Sequence, residues 1–297
     1  METISVGVPG RVDNPLARTS RRLLVTAAVC VALFVITYAL LIRTRDGQAF
    51  DALAYRGRSS IPWRYQALSN HVLASVEIVT VAVMCLLLVV VGAARRLLWR
   101  GVCAAGGFGA AVVSTQVLKP TLPRPELISA QLESGFVTFN TFPSGHATIF
   151  TSAALAVVLL STRRARPWVA IVAAVVTTGA STGVLISGWH RGSDAIGAVF
   201  LSIVVMSLAA WVAVLGERAW ARAEPARASW SRRTWAGPIW LALGAMVAML
   251  CALWLVILFW RNTWHLADAG FGMMASAIIV VTWAGVVGFA AAVRDLR

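Results

Sequence analysis

The chain has 297 residues, of which 59% are hydrophobic and only 13% charged; a soluble domain of ordinary composition carries about 25% charged residues. The shortfall is gathered into long apolar blocks, which sets aside a soluble globular protein and puts the membrane class first. The net charge of +14 does not point to nucleic acid, because the basic residues are scattered over many short connecting segments instead of forming one module.

In chain order, residues 1–22 read as a cytoplasmic N-terminal segment with no cleavable signal, since the first apolar block lacks a small-residue cleavage site and is long enough to remain a helix. Blocks long and apolar enough to span follow at about Leu23–Leu41, Val72–Ala94, Val102–Leu118, Ala147–Ser161, Trp168–Gly188, Ala195–Leu215, Ile239–Trp260 and Phe271–Val293. The fold predicted is an all-α polytopic membrane helical bundle of about eight transmembrane helices. Its first six spans cover 23–215, a cytoplasmic amphipathic linker covers 216–238, and two further spans occupy 239–297. Arg collects at the block ends and many of the 13 Trp lie near them, as interfacial anchors do. With the N-terminus inside, 17 of the 26 basic residues fall on the cytoplasmic side. The Arg-rich first outer loop, 43–70, runs against that bias. Cys30, Cys85, Cys103 and Cys251 all lie within apolar blocks and read as packed thiols.

Two outer loops, 119–146 and 189–194, fall on the same membrane face and hold the polar residues of interest. The first begins Lys119-Pro-Thr-Leu-Pro-Arg124-Pro125, with the only Lys in a chain that otherwise uses Arg. A point-charge donor and a planar fork together suit a phosphate, although a basic juxtamembrane pair is the plain alternative. Its end, Pro143-Ser144-Gly145-His146, is a helix start. Ser144 can cap, Gly145 lets a ligand approach the backbone, the helix N-terminus attracts anions, and His146 could protonate a leaving oxygen. Simple capping beside an incidental His is the alternative. The second loop carries Trp189-His190-Arg191 and, four residues after His190, Asp194. A carboxylate on one ring nitrogen would leave the other free as a nucleophile; an interfacial His beside a helix-start acid reads equally well from this loop alone.

Taken together, Lys…Arg-Pro, Pro-Ser-Gly-His and His-x-x-x-Asp resemble the type 2 phosphatidic acid phosphatase family, within the acid phosphatase and vanadium haloperoxidase superfamily. The resemblance covers roughly residues 72–215. It implies a six-helix phosphatase core with His190 attacking phosphorus, Asp194 orienting it and His146 protonating the leaving group. Lys119, Arg124, Ser144 and the Gly145 amide would hold the phosphoryl oxygens. It further implies a metal-independent reaction without cofactor, in agreement with the lack of a metal-ligand cluster in the sequence, and a bell-shaped pH dependence. Two departures stand out. The Lys119–Arg124 spacing is shorter than is usual in the family, and the position six residues before His190, an arginine in the family, is Val184. Arg191 is the first candidate to fill that role, with Arg64 or another first-loop Arg behind it.

The function expected is hydrolysis of a phosphomonoester or pyrophosphate on a polyprenyl or glycerophospholipid. The setting expected is a bacterial cytoplasmic membrane, with the site facing the extracytoplasmic side. The partners are the lipid substrate and the bilayer, with no nucleic acid. A lipid phosphotransferase, or a degenerate lipid-phosphate binding or transport protein, is the alternative. Glu77, as an intramembrane carboxylate, is either functional or a buried structural hydrogen-bonding group. His71 and His265 read as interfacial, and Trp189 either anchors its loop or lines the site.

Overall fold

The computed structural model describes residues 15–128, 140–223 and 266–296, and no strand occurs among them. Helix α1, Pro15–Thr37, ends in a π turn over Tyr38–Ile42. Then follow α2 (Arg45–Gly57), a 3-10 turn at Arg58–Ser60, α3 (Trp63–Ala74), α4 (Ile78–Ala94), α5 (Leu98–Thr121), α6 (Gly145–Leu160), α7 (Arg166–Ile186), α8 (Gly192–Ala223) and α9 (Leu266–Ala292). In hydrocarbon every backbone polar group must find a partner within its own segment, so apolar runs of this length become helices.

Five helices are long and apolar enough to cross a bilayer, namely α1 with its π turn, α5, α7, α8 and α9. The bent pair α3–α4 makes a sixth candidate, and α6 is a shorter apolar helix. The chain is an integral, multi-pass membrane protein. The predicted span Ile239–Trp260, Arg261, His265, Cys251 and residues 224–238 of the predicted linker lie outside the described residues.

Four expectations change. The block Val72–Ala94 is not one straight helix, because the chain bends by 64° between α3 and α4. Glu77 stands in that break as the N-cap of α4, in a capping box with Thr80, and is exposed rather than buried within a span. The outer segment 43–70 is largely helical, holding α2 and most of α3. Finally, α1 begins at Pro15, so part of the expected N-terminal segment is the polar start of the first span.

Packing uses small residues where helices touch, as membrane interfaces do. Gly92 of α4 and Gly101 of α5 are so close that a Cβ built on either would lie within 3 Å of the other's Cα. At the α8 Gly192 position an added Cβ would run into Met274 of α9, at 2.1 Å. Helix α1 packs on α8; α5 on α4, α6 and α8; and α9 on α2, α7 and α8. The opposite faces, such as Val25, Val29, Val35 and Ile36 of α1, are exposed to where lipid would lie. At the end of the bundle away from the two outer loops, fully buried Arg166 donates from Nη1 to the Leu296 carbonyl at 3.0 Å and from Nη2 to Ser161 at 2.8 Å. It thereby gathers helix-end carbonyls that have no intrahelical partner.

Candidate active site

The polar cluster forms where the C-terminal end of α5, the N-terminus of α6 and the α7–α8 turn meet over α2. Helix α6 starts where its sequence predicts. Ser144 is the N-cap, its Oγ accepting from the Ala147 amide at 3.3 Å, and its own amide donates to the Asp194 carbonyl at 3.0 Å. That second bond fastens the start of α6 to the first turn of α8. At the end of α5, Lys119 Nζ would lie 3.7 Å from a Cβ built on Gly145. The ammonium therefore sits over the first turn of α6, where free amides and the helix dipole favour an anion.

The turn between α7 and α8 is held by the Val184 carbonyl, which accepts from both the Trp189 and His190 amides at 3.1 Å. Gly188 takes φ +74°, a conformation that favours glycine. His190 then sits just ahead of α8, 7% exposed, with its Nδ1 3.4 Å from Asp194 Oδ2. The same Oδ2 accepts from the Arg191 amide at 3.1 Å and from the hydroxyl of Thr141. Nδ1 thus faces a fixed acceptor, which leaves the lone pair on Nε2. The His146 ring lies edge-on to Trp189, 4.9 Å between centroids, so Trp189 lines this site. His146 is within electrostatic reach of both His190 and Lys119, and Lys119 of Asp194.

Arg124 lies between two carboxylates. Its Nη2 is 3.2 Å from Asp51 Oδ2 and its Nη1 is 3.6 Å from Asp194 Oδ1. Nη1 makes no hydrogen bond among the described residues. Arg191 joins the cluster through its backbone, and its side chain is buried. Arg64 does not join; it is exposed and stacks on Tyr65. The first-loop arginine that does approach is Arg58, whose guanidinium packs over the Tyr55 ring and against Gly188, two residues before His190. His71 is exposed, in the last turn of α3. Among the described residues no group of His, Cys, Asp or Glu is placed to hold a metal ion.

Residues 100–218 match the PAP2 superfamily. With the apolar helices around them, the protein is an integral membrane protein carrying a phosphatase-type domain. No curated protein and no solved structure matches the chain. The match takes in Lys119, Arg124, Ser144, Gly145, His146, His190, Arg191 and Asp194. It begins at Arg100 in α5, later than the residue 72 drawn from the motifs, so α1 to α4 and α9 lie outside the matched stretch.

Several residues of this cluster were not foreseen, and most lie outside that stretch. Asp51 of α2 is fully buried and accepts from the Ser193 amide at 3.1 Å and the Ser193 hydroxyl at 2.5 Å. Burial pushes its carboxyl above the ordinary value, Asp194 adding to the effect while Arg124 and Ser193 oppose it. Gln48, one turn earlier, donates to the Pro125 carbonyl at 2.6 Å and accepts from the Leu127 amide at 3.2 Å, fixing the strand of chain after Arg124. Tyr55, one turn later, donates to the Gly188 carbonyl at 3.0 Å. Within the matched stretch, Thr141 holds Asp194, and Asn140 binds the Lys119 and Leu122 carbonyls at 3.0 and 2.7 Å. The signal for α2 was the polar and aromatic spacing 48, 51, 55, which lies on one face of a helix.

Proposed function

We propose that this protein removes phosphate from a membrane lipid, a phosphomonoester or pyrophosphate of polyprenyl or glycerophospholipid type, through a phosphohistidine formed on His190. The observation that carries the reading is the His190–Asp194 pair set beside Lys119 at the N-terminus of α6. Nε2 of His190 forms a bond to phosphorus as the bond to the lipid oxygen breaks, and His146 gives its proton to that departing oxygen. Water then attacks phosphorus, its proton passes to His146, and the P–N bond breaks to return free His190. The equatorial oxygens are met by Lys119 Nζ, the Gly145 amide, the Ser144 hydroxyl and Arg124 Nη1. These preorganised donors supply most of the stabilisation, and no metal ion or cofactor is needed. The excess of Arg on the N-terminal side supports a site that faces the extracytoplasmic side of a bacterial cytoplasmic membrane. A headgroup can enter there while its tail remains in lipid.

The test is phosphate release in detergent from a panel of lipid phosphates and pyrophosphates, with and without EDTA. Release from at least one member, unchanged by EDTA, is the expected result. Release abolished by EDTA and restored by a divalent cation would overturn the metal-independent reaction, and the absence of release across the panel would overturn the phosphatase.

The arginine replaced by Val184 leaves one donor to be found. We assign it to Arg191, with Arg58 behind it. Arg191→Ala should lower kcat/KM by about 10²-fold, as loss of one charged transition-state donor does, and Arg58→Ala by less than about tenfold. The assignment fails if Arg191→Ala leaves turnover and inhibition by inorganic phosphate unchanged.

A further inference from the structure

The end of the bundle opposite His190 holds a second basic site. Helix α1 reaches the active-site side at its C-terminal end, where the Tyr38 hydroxyl donates to the Pro123 carbonyl at 2.6 Å. Helix α9 begins on that same side, where Asp268 accepts from the Ser60 hydroxyl. The start of α1 and the end of α9 therefore lie at the other membrane face. With 23 residues in α1, the separation is about 35 Å. Between these two ends is a cavity of about 460 Å³, lined by Arg18, Arg21, Arg22 and Arg294.

Its charge is uneven. Arg22 and Asp295 pair at 2.8 Å across the two helices and clamp the cavity's edge. Arg21 and Arg294 line the cavity beside that pair, so arginine outnumbers carboxylate there among the described residues. The cavity does not end at the charged rim. It continues along Val25 and Gly288, and a Cβ added at Gly288 would meet nothing within 4 Å. Val25 itself is 54% exposed, on the lipid-facing side of α1. Guanidinium groups at the membrane surface above an open apolar slot fit a phosphodiester headgroup whose acyl chain lies along the helices. A soluble anion would leave the slot unused.

We infer that this site binds an anionic glycerophospholipid from the leaflet facing the chain's Arg-rich N-terminal side, apart from the leaflet that the catalytic site faces. The bound lipid would bridge α1 and α9. Since α1 packs on α8, and α9 on α2, α7 and α8, it would brace the helices on which Asp51 and Asp194 stand. This inference does not rest on the phosphatase reading, and its readouts need no turnover.

The experiment follows thermal unfolding of the full chain in neutral detergent by tryptophan fluorescence. Phosphatidylglycerol, phosphatidylcholine and inorganic phosphate are titrated in turn, and retained lipid is counted by native mass spectrometry. Phosphatidylglycerol should raise Tm by roughly 5 °C at saturation, and phosphatidylcholine and inorganic phosphate should not. Arg18→Gln/Arg21→Gln/Arg294→Gln should lose this shift, with Arg22 kept because it holds Asp295. Gly288→Leu, which fills the slot without touching the charges, should raise the half-saturating lipid concentration about fivefold or more. Equal shifts with phosphatidylcholine would overturn the inference, as would a phosphate-induced shift of the same size. If the triple variant does not fold, Gly288→Leu decides, and an unchanged half-saturating concentration there also overturns it.

Discussion

Replacing His190 with alanine should lower phosphate release from a lipid phosphate by at least about 10³-fold, the scale on which enzymes lose activity with their nucleophile. The fold should survive. His190 precedes α8, its backbone amide bond to Val184 does not need the imidazole, and Asp194 keeps the Thr141 hydroxyl, the Arg191 amide and Arg124 as partners. Tm should therefore stay within a few degrees of wild type. His146→Ala separates the two chemical steps. With a lipid alcohol as leaving group, loss of the acid slows bond breaking, and release should fall by about 10²-fold or more. With an aryl phosphate, the leaving group departs without a proton, so the first step proceeds while water attack stays slow. An acid-labile phosphoenzyme should then accumulate on His190 with a burst of the aryl alcohol. Substantial release from His190→Ala would refute the covalent mechanism. A lipid-phosphate binding protein would instead show phosphate-dependent binding and no release from wild type. A phosphotransferase would depend on His190 but release little phosphate until the acceptor lipid is withheld.

The parts of the site that were legible in the sequence are those built from local spacing. The i, i+4 relation of His190 and Asp194 becomes the 3.4 Å contact. Pro-Ser-Gly ahead of an apolar run becomes the capped start of α6, and the lone Lys119 comes to rest over that start. The helical class and most spans were legible as well, because hydrocarbon leaves the backbone little choice. What could not be read depends on partners distant along the chain. Asp51 meets Arg124 across 73 positions and Ser193 across 142, and nothing local marks that convergence. Helix α2 was hidden for a related reason. Its stripe of Gln48, Asp51 and Tyr55 is polar because it faces a polar site, and with 13 residues the helix is too short and too polar overall to stand out as a span, so it reads as loop. The break at Ser75–Glu77 was obscured because apolar residues flank it on both sides. A window of composition sees one span there, whereas the backbone sees a capping box.

The hidden helix carries the second large effect. Arg124 between Asp51 and Asp194 makes a buried row of alternating charge that ends at His190. With both carboxylates in place, the guanidinium is held from two sides, and Nη1 is directed to the phosphoryl position. Asp51→Asn keeps the size of the side chain and an acceptor for the Ser193 amide, but removes the charge facing Arg124 Nη2. Arg124 should then draw closer to Asp194, its remaining carboxylate at 3.6 Å. Asp194 would share more of its charge with Arg124 and less with His190, and Nη1 would turn from the phosphate. Misplacement on this scale costs about 10²-fold in rate even when the altered residue never touches substrate. We expect kcat to fall about 10- to 100-fold in Asp51→Asn, with KM changed by less than about threefold, because Lys119 and the α6 N-terminus still bind the headgroup. A merely structural role would lower Tm and the yield of folded protein without this split. In a double-mutant cycle with Arg124→Gln, the two substitutions should be far from additive, since each removes the same buried contact. Turnover of Asp51→Asn within twofold of wild type would show that α2 supports the fold of the site and not its chemistry.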